Sequence, residues 1–191
     1  MSPDNPVPVS ALWEIFQPDF VTGSLKWKPR ASGIPRIISG FNSRHAGQEA
    51  LTQTDERGYL FGTFAFNGRR HFARKHRVLW AMAHGRWPHG DVDHADRVTS
   101  NNCLENLREA TRAQNCQNLV RTNGLSGYKG VDLHDGKWRA RIHVLSRSIH
   151  LGHHPTEEAA AYAYDTAARR HFGEFAHLNF PGLETNTAQA V

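Results

Sequence analysis

The sequence predicts an α+β chain built from two small modules. Three observations predict it. An aromatic extended run, Tyr59 to Phe66, meets Asn67-Gly68, the dipeptide that best suits a two-residue hairpin turn, because both positions need positive φ. Lys137 to Val144 alternates strictly, with Trp138, Ala140, Ile142 and Val144 on one face and Lys137, Arg139, Arg141 and His143 on the other. Two segments read as helices of quite different character. His76 to Ala83 is apolar and ends at His84-Gly85, and an alanine-rich stretch from Thr156 carries acids in its first turn and Arg169-Arg170-His171 in its last, as the helix dipole favours.

The remaining elements follow in order. Ser10 is placed to cap a short helix carrying Leu12, Trp13 and Phe16, and Thr22-Gly23 turns the chain between two short extended pieces. Residues 29–50, rich in Gly, Ser and Pro, read as irregular, and no role is legible for residues 1–50. Arg69 to Arg74 returns from the Asn-Gly turn as a second strand. Asp91 to His94 is a short strand ending in polar residues, followed by a polar loop, a tight turn at 104–107, a strand at 108–110, and Thr111 as cap of a helix to about Leu119. The division expected is 1–50, 51–121, a linker at 122–126, a second module at 127–181 and a polar tail at 182–191.

Composition narrows the function. With 23 basic and 18 acidic residues the chain is moderately cationic, a weak pointer to polyanions alone. The charges cluster, however: Arg69, Arg70, Arg74, Lys75 and Arg77 fall within nine residues, and Lys137, Arg139, Arg141 and Arg147 form a second group. The two cysteines sit in no zinc spacing, and no signal peptide or membrane span is read. These features fit the cytoplasm of a bacterial or phage-infected cell. The sequence sets no oligomeric state.

Asp93-His94, Asn106 and Asn115 form the constellation with chemistry in it. Phosphodiester hydrolysis needs an activated water, a cation at the phosphate and orientation. Histidine suits the base, and carboxylate and amide oxygens are hard donors that suit Mg²⁺. Neighbours on a regular strand face opposite sides, so Asp93 and His94 can serve one phosphate only where the strand ends or twists.

From His76 to Asn118 the chain resembles the HNH endonucleases of phage and mobile-intron origin, on its V-D-H strand end, L-E-N-L turn and Asn-bearing helix. The resemblance implies a ββα-metal fold and a metal-dependent DNA endonuclease leaving 5′-phosphate and 3′-hydroxyl ends. It implies His94 as general base, and Asp93 and Asn115 as ligands of Mg²⁺ or another divalent ion such as Mn²⁺. It makes Asn106 the residue that braces the turn and so positions His94. The final position of the motif is Asn here, where other members have His. Arg77, in the His-Arg pair that opens the preceding helix, is expected on a DNA phosphate.

Residues 126–181 resemble the AP2 DNA-binding domain, through Y-K-G-V, K-W-R-A-R-I, T-E-E-A-A-x-A-Y-D-x-A-A and L-N-F-P. This implies a three-stranded antiparallel sheet backed by one helix, with the sheet in the major groove of double-stranded DNA. Lys129, His134, Lys137, Arg139, Arg141, His143 and His150 would make the reading face. Plant members carry more arginine and tryptophan there, whereas Asp132, His134, His143 and His150 stand at comparable places here, so a plant target sequence does not transfer. The rival reading is a non-catalytic, sequence-specific DNA-binding regulator that keeps the HNH frame as scaffold.

Overall fold

A computed structural model describes residues 7–31, 33, 35–118 and 126–182. The expected linker, apart from Ser126, and the tail beyond Gly182 lie outside the described residues. The chain divides into two compact units, Met1–Arg112 and Ala113–Val191.

The first unit opens with helix α1 (Val9–Ile15) and a hairpin of β1 (Phe16–Asp19) and β2 (Ser24–Trp27). The helix begins one residue before Ser10, behind Pro8 in extended conformation and with no side-chain cap, so Ser10 is not the cap. Proline suits this entry because its φ is already fixed. The stretch read as irregular holds helix α2 (Pro35–His45). Its Gly and Ser content lowers intrinsic propensity, and packing prevails: Phe41 lies edge-on to Trp27, with ring centroids 5.9 Å apart.

Strands β3 (Gln53–Thr54), β4 (Leu60–Phe66) and β5 (Arg69–Arg74) form one antiparallel sheet. Asn67 and Gly68 both take positive φ, 49° and 71°, as a type I′ turn demands. Helix α3 (Lys75–His84) follows at once and stops at Gly85 in the left-handed conformation. Strands β6 (Asp91–His94) and β7 (Leu107–Ala110) pair antiparallel across the polar loop and a 3₁₀ turn at Leu104–Asn106.

One apolar core runs through this unit. It joins Val7, Leu12, Phe16, Leu25 and Ala50 to Phe64, Val78, Leu79, Val92 and Leu107. The expected division at residue 50 therefore falls inside a continuous core, and the N-terminal elements build the same unit as α3, β6 and β7.

Helix α4 (Arg112–Asn118) begins on the last residue of the first unit and opens the second. Strands β8 (Val131–His134), β9 (Lys137–Val144) and β10 (Arg147–His154) make a sheet of order β10-β9-β8. Helix α5 (Glu157–Phe172) covers one face, capped by the Thr156 hydroxyl accepting from Ala159 N at 3.2 Å. Ala160, Tyr164 and Ala168 of the helix bury Val131, Ala140 and Ile142 of the sheet. Small side chains let the two layers approach: a Cβ added at Gly130 would lie 2.1 Å from the Tyr164 ring. The buried Asp165 carboxylate accepts from Asn179 N, Asn179 Nδ2 and Phe180 N, which fastens the L-N-F-P segment beneath the helix. Helices and antiparallel sheets together give the α+β class the sequence predicts.

Candidate functional site

The β6–β7 ribbon carries the central residues. In its register Asp93 stands opposite Arg108 and His94 opposite Leu107. Asp93 and His94, neighbours on one strand, are both buried, at 5% and 3% exposure. Both faces of the strand end are covered here, and the two side chains meet different partners.

Asp93 Oδ2 accepts from Arg108 Nε and Nη2, each at 2.9 Å. This is a cross-strand ion pair of largely buried groups, with Asp93 the deeper. Such a pair needs good geometry to offset the desolvation of both charges.

His94 Nε2 lies 3.0 Å from Asn102 Oδ1. The Asn102 amide nitrogen donates to Ser100 O at 3.2 Å, which turns its oxygen toward the ring. An amide oxygen only accepts, so the network assigns the proton to Nε2 and the lone pair to Nδ1. Burial pushes the His94 pKa down, opposed by the Asn102 bond and by the charges of Asp96 and Asp93. The ring is therefore neutral at pH 7. His76 from α3 meets it edge-on at 5.1 Å, and Tyr59 packs on both rings at 5.2 and 5.7 Å. His76 is 3% exposed, and burial, then the charge on His94, hold its pKa well below the ordinary value.

Asn106 ties the loop together. Its Oδ1 accepts from Asp96 N at 2.9 Å, and its Nδ2 donates to Asp96 Oδ1 and Asn101 O, both at 2.8 Å. Its carbonyl accepts from Ala95 N, the residue after His94. Burial of Asp96, which would raise its pKa, is outweighed by hydrogen bonds from Asn101, Val98 N and Asn106, so it stays low.

The N-terminal hairpin braces the same loop from behind. Leu104 N donates to Phe20 O at 2.8 Å. Gly23, at φ +69°, lies so close that a Cβ there would be 2.4 Å from the Asn102 carbonyl carbon. The β1–β2 hairpin thus holds the segment that presents Asn102.

The basic stretch 69–77 is partly spent internally. Arg74 pairs with Asp55 and lies over Tyr59, and Lys75, 5% exposed, pairs with Glu49 at 2.7 Å. Arg77 donates to Gly90 O at 2.8 Å and Pro88 O at 3.3 Å, and burial lowers its pKa. It clasps the loop leading into β6, which is structural work. Arg69 and Arg70 stay exposed.

Asn115 lies on α4, in the second unit. Among the described residues no group of three or more His, Cys, Asp or Glu is placed to hold a metal. A strongly hydrated Mg²⁺ does not need one, since it is commonly bound through one or two carboxylates plus substrate phosphate. The Asp93 carboxylate is a donor of the right hardness for such an ion, with Arg108 as its present cation.

On the second unit Lys137, His143, His134 and His150 are exposed on the sheet. Asp132 organises the arginines. Arg139 donates to its two oxygens, each at 2.9 Å, and Arg141 reaches Oδ2 at 2.9 Å. The Arg139 bond, then the nearby positive charges, keep the Asp132 pKa low. Lys129 Nζ donates to Gln117 O, while its backbone N donates to Asn179 Oδ1 at 2.7 Å. His150 and His153 pack at 4.8 Å.

The parts that Asn102, Arg108 and Gly23 play at the site escape a reading of the sequence. Asn102 stands in S-N-N-C-L-E-N-L beside a motif Asn, and only a bond across eight residues shows its partner.

Comparison with known proteins locates both resemblances. The HNH endonuclease family model matches residues 73–117. The chain is 34% identical over 88 residues to an uncharacterised HNH endonuclease of Acanthamoeba polyphaga mimivirus, covering 46% of each. It is 46% identical over 65 residues to an AP2/ERF and B3 domain-containing protein of Oryza sativa subsp. japonica, 34% of this chain and 18% of that protein. The chain thus spans less than half the length of these curated relatives. Among solved structures, that of the HNH homing endonuclease I-HmuI, which binds and cleaves DNA, aligns with TM-score 0.41 and 22% identity, over 59% of this chain and 55% of that one. None of the helices among the described residues is long and apolar enough to cross a membrane. Residues 73–117 therefore carry the likeness to HNH endonucleases, and the C-terminal region carries the likeness to AP2/ERF proteins.

Proposed function

We propose that the protein is a metal-dependent endonuclease acting on double-stranded DNA, held on its substrate by the sheet of the second unit. The observation that carries this reading is the state of His94: buried, neutral at pH 7, and assigned the Nε2–H tautomer by Asn102. A neutral imidazole with its lone pair on a fixed nitrogen is what proton abstraction from water requires. Asp93 and, from the HNH resemblance, Asn115 would hold Mg²⁺ or Mn²⁺. When bound, the ion supplies charge neutralisation at the phosphate. Asn106 keeps the loop closed around His94. The exposed Lys137, His134, His143 and His150 of the second unit, with the half-buried Arg139 and Arg141, supply phosphate and base-edge contacts, and tethering raises the effective concentration of the nuclease unit at DNA.

The test is cleavage of supercoiled plasmid with Mg²⁺, with EDTA, and by His94→Ala. Nicked or linear product that needs both Mg²⁺ and His94 is expected, with His94→Ala retaining DNA binding. A second reading, a DNA-binding regulator without catalysis, is favoured by one observation: Arg108 already neutralises Asp93. Intact plasmid throughout, together with an undiminished gel shift, would select it.

A further inference from the structure

We propose that the first unit carries a DNA-phosphate site of its own, an arginine cleft on α2, in addition to the sheet of the second unit. The inference rests on the DNA reading above. The cleft is about 500 Å³ and is lined by Arg30, Arg36, Gly40, Phe41, Arg44 and His45, with Ile37 at its side. Arg36, Gly40 and Arg44 recur every four residues on α2 and so share one face.

The cleft is built rather than accidental. Arg30 is locked to the helix by a reciprocal clasp: its N donates to Asn42 Oδ1 at 2.8 Å, and Asn42 Nδ2 donates to Arg30 O at 3.0 Å. Its guanidinium lies 3.8 Å from the Phe41 ring centroid. Arg44 Nε donates to Gly40 O at 2.9 Å, which fixes the direction of its fork.

Charge points to the ligand. Five arginines elsewhere are neutralised internally: Arg74 by Asp55, Arg86 by Glu109, Arg108 by Asp93, and Arg139 and Arg141 by Asp132. Among the described residues none of Arg30, Arg36 and Arg44 pairs with a carboxylate, and no acid lines the cleft. Three guanidinium groups gathered without a counter-charge repel one another, and a bound anion removes that cost. The planar fork of arginine matches phosphate oxygens.

Spacing favours a strand over a single phosphate. Arg36 and Arg44 are separated by roughly 12 Å along the helix axis, at 1.5 Å per residue. Along the axis of a duplex, that is roughly three to four phosphate steps of one strand at about 3.4 Å of rise each. A free phosphate or mononucleotide would engage only one end.

The experiment uses the full chain in EDTA, so that no cleavage occurs. Binding of a labelled duplex is followed by anisotropy from 50 to 300 mM NaCl. The variants are Arg36→Ala/Arg44→Ala, Arg36→Lys/Arg44→Lys and Gly40→Asp, whose new carboxylate would stand beside Arg44; melting checks that each is folded. Each lost phosphate contact flattens the slope of log K against log salt by about 0.9. The alanine pair should therefore flatten it by roughly 1 to 2, with the affinity deficit shrinking as salt rises; the lysine pair should keep the slope, and Gly40→Asp should flatten it by about 0.9. Wild-type slope in folded alanine and Gly40→Asp variants overturns the cleft and leaves the nuclease reading untouched. No binding by the wild type at any salt overturns the DNA reading itself. Inorganic phosphate or a mononucleotide raising the melting temperature of wild type but not of the alanine pair, with slopes unchanged, also overturns it, assigning the cleft to a free anion.

Discussion

Replacing Asn102 tests the chemistry assigned to His94 more sharply than replacing His94 itself. The two side chains are 2% and 3% exposed and share one hydrogen bond of 3.0 Å. Asn102→Ala leaves the Nε2–H without its acceptor, and an unsatisfied buried donor costs about 1 to 3 kcal/mol. A loss of roughly 2 kcal/mol in unfolding free energy is therefore expected, small against the 5 to 15 kcal/mol typical of a domain. Catalysis should suffer more than folding. Without the acceptor the ring can place its proton on either nitrogen, and the reactive lone pair is no longer held in one direction. General base catalysis is worth about 10² to 10⁴ in rate, so a fall in kcat of about 10- to 100-fold, partial rather than complete, is expected.

The pH profile separates this from mere loosening. The Asn102 bond is one of the influences that raise the His94 pKa against burial. Removing it should move the acid limb of kcat to lower pH. Asn102→Asp sets a carboxylate against the same nitrogen, favours the imidazolium, and should move the limb to higher pH. Single-turnover cleavage of a labelled duplex from pH 5 to 8.5, with Mg²⁺ saturating, reads both. Opposite displacements by the two variants support the assignment. Equal losses with the limb unmoved would mean that Asn102 only supports the loop, and that the tautomer argument is wrong.

Three further outcomes follow from the same structure. His76 and His94 have folded pKa values below the ordinary 6.5, chiefly through burial, so their contribution to stability is complete above that pH and is lost as pH falls below it; urea unfolding should show stability declining by up to about 1.4 kcal/mol per pH unit for each, and His76→Phe should shallow that decline. Arg108→Gln leaves the Asp93 carboxylate buried without its cation and should cost about 3 kcal/mol, with Mg²⁺ raising the melting temperature of the variant more than that of wild type; an equal Mg²⁺ response would count against Asp93 as a ligand. Gly23→Ala combines positive φ with a Cβ 2.4 Å from the Asn102 carbonyl carbon, so it should destabilise by about 2 kcal/mol and lower cleavage, although Gly23 lies far from His94 in the sequence; unaltered cleavage would show that the hairpin does not set the loop.

Much of the fold is legible because its signals are local. Asn67-Gly68 fixes a hairpin through backbone conformation alone, Gly85 stops α3, and Thr156 with two following acids starts α5. The alternation of 137–144 separates core from surface correctly, as the burial of Ala140 and Ile142 shows. The N-terminal third is opaque for the opposite reason. Helix α2 has Gly and Ser in its interior and is held by Phe41 against Trp27 and by Asn42 against Arg30, contacts that no periodicity announces. Pro8 rather than Ser10 begins α1 because Val7 and Leu12, both fully buried, set where the chain enters the core.

The candidate site divides along the same line. Motif residues sit on a contiguous strand, turn and helix, so their order along the chain makes them readable. What governs their chemistry is set by pairing across the structure. Arg108 reaches Asp93 only because β6 and β7 pair in one register; a shift of a single residue would carry the guanidinium to the other face and away from the carboxylate. Asn102 reaches His94 only because Asn106 closes the loop from within and Gly23 with Phe20 supports it from behind. The placement of His94 and its tautomer are thus properties of the ribbon, the loop and the N-terminal hairpin together. A homologous motif with another residue at 102 would keep the histidine and need a different acceptor for Nε2–H, or it would lose the fixed direction of the lone pair on Nδ1.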